Sequence, residues 1–240
     1  MKLNDIAILF LTAHIIADFY LQSPNLAAGK ERNAKALAWH LAIYAAVMLL
    51  SALGLTLIQG DPRMIWAGFA LSALHAAADL LKYRISKAKR MGSPDAQAWL
   101  YLSDQLFHML CIVFIMNRFT ATLPIPSLTL RWILLLSLIH KPANISFKKI
   151  LSKYEVSGDA GKPDTLPGAG AVIGSLERVL CAIFIGLGQY ASIGLIYTAK
   201  SIARFKKIEE NPKFAEYYLI GTLYSILFVV ACYLLVVETL

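Results

Sequence analysis

Apolar residues run along this chain in long blocks, at 5–22, 35–58, 64–84, 97–117, 128–140, 169–199 and 215–237, and the charges gather between them. Several blocks reach the roughly 20 residues that a helix needs to cross the hydrocarbon core of a bilayer. The block at 128–140 is short and predicts either a brief crossing or a re-entrant or interfacial helix. The expected fold is all-α, a polytopic bundle of about six or seven transmembrane helices. Residues 1–120 read as an N-terminal four-helix half. Residues 121–168 read as a short helix and a hydrophilic loop, with a basic amphipathic helix over 146–154 and a Gly/Pro-rich stretch at 157–168. Residues 169–240 read as a C-terminal helical half, in which Gly186 and Gly188 mark a break.

Composition supports this picture. The chain is 58% hydrophobic and 16% charged, with a mean hydropathy of +0.60, which excludes a disordered protein and argues against a soluble enzyme. The net charge of +8 raises the question of nucleic acid. Its distribution answers for membrane lipids instead: Lys82, Arg84, Lys87, Lys89 and Arg90 follow one block, and Lys141, Lys148, Lys149 and Lys153 follow another. By the positive-inside rule the 23–35 segment (Lys30, Arg32, Lys35) and the 82–96 segment face the cytoplasm, and the turn at 59–63 faces outward. The expected home is the inner membrane, with the first block retained as a span because His14 and Asp18 interrupt its apolar core. The rule conflicts with itself after residue 121 unless a helix within 169–199 is broken or re-entrant. Cys111, Cys181 and Cys232 lie apart in apolar segments and read as core filler.

The chemistry lies in the first four blocks. His14 and Asp18, His75 and Asp79, and Asp104 and His108 each stand four residues apart, one helical turn, and His40 lies in the remaining block. At 1.5 Å of rise per residue, Asp18, His40 and Asp79 fall roughly 6–8 Å from the cytoplasmic ends of their blocks. His14, His75 and Asp104 fall about 10–14 Å deep, and His108 about 16 Å. Seven ionisable groups thus share one layer, although each is expensive in lipid unless paired, solvated or metal-bound. Imidazole and carboxylate without thiolate suit zinc, manganese or iron, and do not suit copper(I) or an iron–sulfur cluster. Four histidines and three aspartates exceed one tetrahedral ion. They fit two ions sharing a carboxylate, or one ion with outer Asp–His partners. Two other readings stay open: a proton or cation relay on the same residues, or local pairs that only pin helices together. Gln22 and Gln105 border the layer.

A second group lies in the C-terminal half. Glu177 and Arg178 interrupt an apolar block, and Lys200 and Arg204 form a basic pair one turn apart at its end. Arg178, Lys200 and Arg204 either hold an anionic headgroup or phosphate beside Gly168, Gly170 and Gly174, or belong to ordinary small-residue helix packing with one intramembrane ion pair.

The segment His14-x-x-x-Asp18-Phe-x-Leu-Gln22, with Lys35 and His40, resembles the bacterial integral-membrane family filed as domain of unknown function 3307. Ile173-Gly174-x-Leu-Glu177-Arg178, Ala199-Lys200-Ser201-x-x-Arg204-Phe205 and Glu216-Tyr217-x-Leu-Ile-Gly221-Thr222-Leu resemble its second half. That resemblance implies membrane residence and no reaction. In composition the cluster is also similar to membrane-bound metal-dependent hydrolases. The expectation that follows is hydrolysis of a lipid or phosphoester substrate, with His14, Asp18, His40, His75, Asp79, Asp104 and His108 holding one or two divalent ions. Asp18, Asp79 or Asp104 would act as general base, and Arg178, Lys200 and Arg204 would bind the anionic group. A proton- or cation-coupled carrier and a non-catalytic structural protein are the alternatives.

Overall fold

The structure is a computed structural model that describes residues 3–30, 33–88, 93–120, 122–154 and 168–238. Arg32, Lys89, Arg90 and most of the Gly/Pro-rich stretch, 157–167, lie outside the described residues. Within them the chain is helical and has no strand, as expected. The helices are α1 (Asp5–Ile15), prolonged by a π-helical turn (Ile16–Tyr20), α2 (Pro24–Lys30), α3 (Ala34–Gln59), α4 (Arg63–Ala88) and α5 (Pro94–Met116). They continue as α6 (Ser127–Ile139), α7 (Lys141–Ile150), α8 (Ala169–Gly186), α9 (Tyr190–Ala203), α10 (Phe205–Glu210) and α11 (Pro212–Val236). The chain divides into two compact units, one formed by residues up to Ser137 and one by Leu138–Glu238.

Among the described residues five helices, α3, α4, α5, α8 and α11, are long and apolar enough to cross a membrane. The first block is not one straight rod. The α1 segment and α2 meet at a 92° bend, and the pair makes a sixth candidate if counted as one broken span. The segment at 23–35, expected only to face the cytoplasm, therefore contains a helix. Pro24 starts it where a missing N–H costs nothing, and the Ser23 hydroxyl accepts the Leu26 N–H at 3.2 Å. The expected basic helix begins earlier than 146, at Lys141-Pro142, for the same reason, and a 3-10 turn at Ser152–Tyr154 follows it. The break expected in 169–199 lies between α8 and α9, where Gly188 has φ +68°.

The first unit is organised inside out relative to a water-soluble bundle. Helix α3 turns Leu37, His40, Tyr44, Met48, Ala52 and Leu55 inward, a face repeating every three or four residues. Its outer face presents Trp39, Leu50, Leu53 and Leu57, with Leu57 78% exposed. Helix α4 exposes Trp66, Phe69 and Leu81, and α5 exposes Trp99, Leu106, Leu110 and Phe114. Continuous bands of large apolar side chains outside ionisable ones suit lipid contact and not water, so the chain is a membrane protein.

Local caps fix the ends of these helices. The Asn4 carboxamide oxygen accepts the Ala7 N–H at 2.8 Å. Its amide nitrogen donates to the carbonyls of Met116 and Phe119 at 3.2 and 2.7 Å, stapling the start of α1 to the end of α5. Ser127 donates to Asp5 at 2.6 Å and Arg131 to the Leu3 carbonyl at 2.9 Å, which ties α6 to the same end. Helices α3 and α4 form a tight hairpin. Gly60, at φ +72°, ends α3 in the left-handed conformation and donates its N–H to the Thr56 carbonyl at 2.7 Å. Hydrogen bonds from Arg63 hold the neighbouring Asp61 carboxyl below the usual carboxylate range. Further along, a Cβ added at Gly68 would stand 2.8 Å from the Ala52 Cβ and 3.4 Å from the Met48 carbonyl oxygen.

Gly68→Leu is therefore expected to force α3 and α4 apart and destabilise the protein by about 1–3 kcal/mol. Gly54→Ala, where a Cβ meets nothing within 4 Å, should stabilise it by about 0.5–1 kcal/mol. Reversible denaturation in detergent reads both, and equal effects would refute the close approach.

Candidate metal centre

Four helices of the first unit supply the His/Asp residues. The α1 segment carries His14 and, on its π-helical turn, Asp18; α3 carries His40; α4 carries His75 and Asp79; α5 carries Asp104 and His108. All seven are buried, none more than 8% exposed. They converge into three overlapping groups whose potential ligand atoms lie within 4.8 Å of one another. The groups are His14 with His75 and His108, Asp18 with His40 and His75, and Asp79 with Asp104 and His108. His75 and His108 each belong to two groups, so the three merge into one nest.

His40 Nε2 is the hub. It lies 3.2 Å from His75 Nε2, 3.2 Å from Asp79 Oδ2, 3.4 Å from Asp18 Oδ1 and 3.3 Å from Lys30 Nζ. A ring nitrogen has either one hydrogen or one lone pair, so it satisfies one of these four neighbours. The other ring nitrogens are no better served. Among the described residues His14 Nε2, His40 Nδ1, His75 Nδ1 and both nitrogens of His108 are buried without a hydrogen-bond partner, as is Asp79 Oδ1. Buried polar atoms in native proteins are nearly always partnered, so this many orphans in one place call for water or a ligand. Their chemistry, imidazole nitrogen and carboxylate oxygen without sulfur, fits zinc, manganese or iron. The nest is a grouping that could hold one or two such ions.

The local pairs read from the sequence are secondary to contacts between helices. His75 and Asp79 stand 3.7 Å apart and His108 and Asp104 3.8 Å, long for hydrogen bonds. His14 and Asp18 form no ion pair. The π-helical turn that begins at Ile16 widens the winding between them, shown by the Leu21 N–H reaching the Ile16 carbonyl five residues back at 2.9 Å. It sends His14 toward Tyr44, His75 and His108, and Asp18 toward Lys30, His40 and Gln105.

Four further residues complete the nest. Lys30, near the end of α2, reaches Asp18 Oδ1 at 3.1 Å and Asp79 Oδ2 at 3.6 Å. Lys82 donates to Asp104 at 2.9 Å. Gln105 donates to Asp18 Oδ2 at 2.9 Å and Asp104 Oδ2 at 3.4 Å. The Tyr44 ring stacks on His75 at 3.5 Å and 5°, and its hydroxyl meets His14 Nδ1 at 3.2 Å. Both lysines read from the sequence as flanking loop charges. Lys82 had a signal, since it follows Asp79 by three residues on one helix face, as Tyr44 follows His40 by four. Lys30 had none, because a seven-residue helix set at 92° to its neighbour leaves no periodic trace. Gln22 does not join the nest. With its amide nitrogen on the Asp18 carbonyl at 2.8 Å and its oxygen on the Ala27 N–H at 3.2 Å, it braces the bend.

The second unit holds the other candidates. Glu177 pairs with Lys200 at 2.7 Å. Arg178 donates to the Ile139 carbonyl and, at 2.6 Å, to Asn144. Arg178, Lys200 and Arg204 all line one pocket of about 590 Å³, together with Gly168, Gly170 and Gly174.

Apolar outer faces and a buried nest of imidazoles and carboxylates define a helical membrane protein with a polar centre in its first unit. Residues 6–136, more than half of the chain, match the family described as "Protein of unknown function (DUF3307)", and the chain belongs to that family. The matched stretch contains the whole nest, and Arg178, Lys200 and Arg204 lie beyond it. No curated protein and no solved structure matches the chain.

Tyr44→Phe keeps the stack and orphans His14 Nδ1, an expected loss of about 1–3 kcal/mol. Tyr44→Ala also removes the ring and should cost about 3–5 kcal/mol. Equal losses in denaturant titrations would show that the stack contributes nothing.

Proposed function

We propose that this protein is a multi-pass inner-membrane hydrolase with one or two divalent ions, zinc, manganese or iron, in the His/Asp nest, acting on a lipid or phosphoester substrate. The observation that carries the reading is the convergence of orphaned imidazole nitrogens and an orphaned carboxylate oxygen from four helices on one buried volume. His14, His40, His75 and His108 would hold the metal with Asp18, Asp79 and Asp104. A bound divalent ion lowers the pKa of water at the site and polarises the scissile group.

The remaining roles fall to the chain's own groups. Asp79, with Oδ1 free of hydrogen bonds, is the carboxylate we favour to accept a proton from water, ahead of Asp18 and Asp104, which already accept from Gln105. Tyr44 fixes the rings of His14 and His75. Gln105 holds Asp18 and Asp104 in register across two helices. Lys30 and Lys82 balance part of the carboxylate charge. Three carboxylates (−3) and two ammonium groups (+2) leave −1 with neutral imidazoles. One divalent ion changes that to +1 and two to +3, a centre that attracts an anionic phosphoester.

One observation favours a second reading, a proton- or cation-coupled carrier. The −1 remaining beside two tethered ammonium groups is neutralised by a single proton or monovalent cation. Carboxylates shared with lysines are suited to exchanging one.

Elemental analysis of the purified protein separates the two. The hydrolase reading expects stoichiometric zinc, manganese or iron, lost in His75→Ala and Asp79→Ala variants that remain folded. It also expects hydrolysis of a phospholipid or phosphoester panel, reduced about 10²–10⁴-fold by Asp79→Asn. Metal-free protein that is indifferent to chelator refutes it. Proton flux into liposomes that requires Asp79 would then support the carrier.

A further inference from the structure

The pocket in the second unit has a charge pattern of its own. Among the described residues four cations line it, Lys148, Arg178, Lys200 and Arg204, against one carboxylate, Glu177, a net +3. Glu177 is already engaged by Lys200 at 2.7 Å. That pairing leaves Arg178, which is only 3% exposed, without a counter-ion among the described residues. Among the described residues the guanidinium is oriented by neutral oxygens. They are the carbonyls of Ile139 and His140, the Asn144 carboxamide at 2.6 Å, and the hydroxyls of Ser175 and Ser225 at 3.4 and 3.5 Å. A buried charge that is hydrogen-bonded but not neutralised is costly, and the cost falls when an anion arrives.

The backbone leaves room for one. A Cβ at Gly174 would stand 3.2 Å from Arg178 Nη1, so glycine lets the guanidinium lie against its own helix. A Cβ at Gly170 would meet nothing within 4 Å, so protein packing does not demand glycine at that point of the pocket wall. Arg204, half-buried at the end of α9, has no ion pair among the described residues and faces the same space. Phe147, Ile173, Phe214 and Tyr217 supply apolar wall beside these charges. Charge, depth and an apolar flank together match a phosphate group carried on an organic body, and do not match a bare cation or a purely apolar ligand.

We propose that this pocket binds the phosphate group of an anionic phosphate ester, with Arg178 as the buried anchor and Arg204 and Lys148 as the outer clamps. The ester is either the headgroup of a membrane phospholipid or a soluble phosphate ester. The pocket lies wholly in the second unit and the metal reading concerns the first, so each can fail alone.

The test uses the full chain in a neutral detergent. Native mass spectrometry measures retention of phosphatidylglycerol against phosphatidylcholine, and calorimetry measures binding of glycerol 3-phosphate and inorganic phosphate. A lipid site retains phosphatidylglycerol about tenfold better than phosphatidylcholine, and a site for a soluble ester binds glycerol 3-phosphate or phosphate instead. In either case Arg204→Gln weakens binding by about tenfold, and Lys148→Gln, on a different helix, weakens it in the same direction. Arg178 braces α7 and α8, so its removal is not used. No preference for phosphatidylglycerol together with no binding of either soluble anion overturns the proposal. Wild-type binding by the Arg204→Gln, Lys148→Gln double variant overturns it equally. Metal content, measured on the same samples, reports on the first unit alone.

Discussion

The first unit is governed by the expense of holding three carboxylates inside helices whose outer faces are tryptophan, phenylalanine and leucine. In lipid no water compensates a charge, so every such group must find its partner within the bundle. That requirement explains features that otherwise look unrelated. The π-helical turn re-aims Asp18 away from His14 toward α3 and α5. The bend after Tyr20 folds α2 back so that the Lys30 ammonium sits between Asp18 and Asp79. Gly68 lets α3 and α4 approach closely, and His40 Nε2 meets His75 Nε2 at 3.2 Å across the same pair of helices. The carboxylates set the demand, and the backbone irregularities are how the chain meets it.

Much of this was legible in the residues. Block length and composition were enough for a helical membrane bundle, because hydrocarbon thickness and backbone satisfaction leave few alternatives. Helical rise alone put the seven His/Asp groups in overlapping layers, since depth is linear in residue number. What depth does not contain is azimuth. A helix face is read by assuming 3.6 residues per turn, and the π-helical turn breaks that assumption at Asp18. The reading of three local pairs therefore missed that the shorter contacts run between helices. Charge near a block end was equally ambiguous. Lys30 and Lys82 obey the positive-inside pattern as flanking cations, yet a four-carbon stem lets each ammonium reach inward while its backbone stays near the helix end. Only the chain path distinguishes a flanking lysine from a buried one.

The second unit illustrates the opposite ambiguity. Glu177 and Arg178 are adjacent, and adjacent opposite charges in an apolar block suggest a mutual pair. On a helix, neighbours in sequence point about 100° apart, so they face different partners. Glu177 takes Lys200, and Arg178 takes backbone and side-chain oxygens from α6, α7, α8 and α11. The ion pair that does form joins Glu177 to Lys200. It sits beside a cation that it does not neutralise, so ordinary helix packing accounts for Glu177 and Lys200 and leaves the arginine unexplained.

Charge balance and hydrogen bonding make different demands on the His/Asp nest, and the difference bears on what it holds. Charge is nearly settled by the lysines, which leave a single negative unit, so electrostatics alone does not call for a divalent ion. The ring nitrogens are the harder problem. A proton placed on one imidazole turns one lone pair into one donor and leaves the other orphans as they were. Water molecules can serve them, each with two to four hydrogen bonds, if the nest is roomy enough. A metal ion accepts four to six donor atoms at once, and imidazole nitrogens and carboxylate oxygens are the donors it takes. Where orphans outnumber uncompensated charges, the shortage is of acceptors for lone pairs more than of positive charge. That balance favours a coordinated ion over a relayed proton, and it makes the lysines the groups that must give way or share when the ion is present.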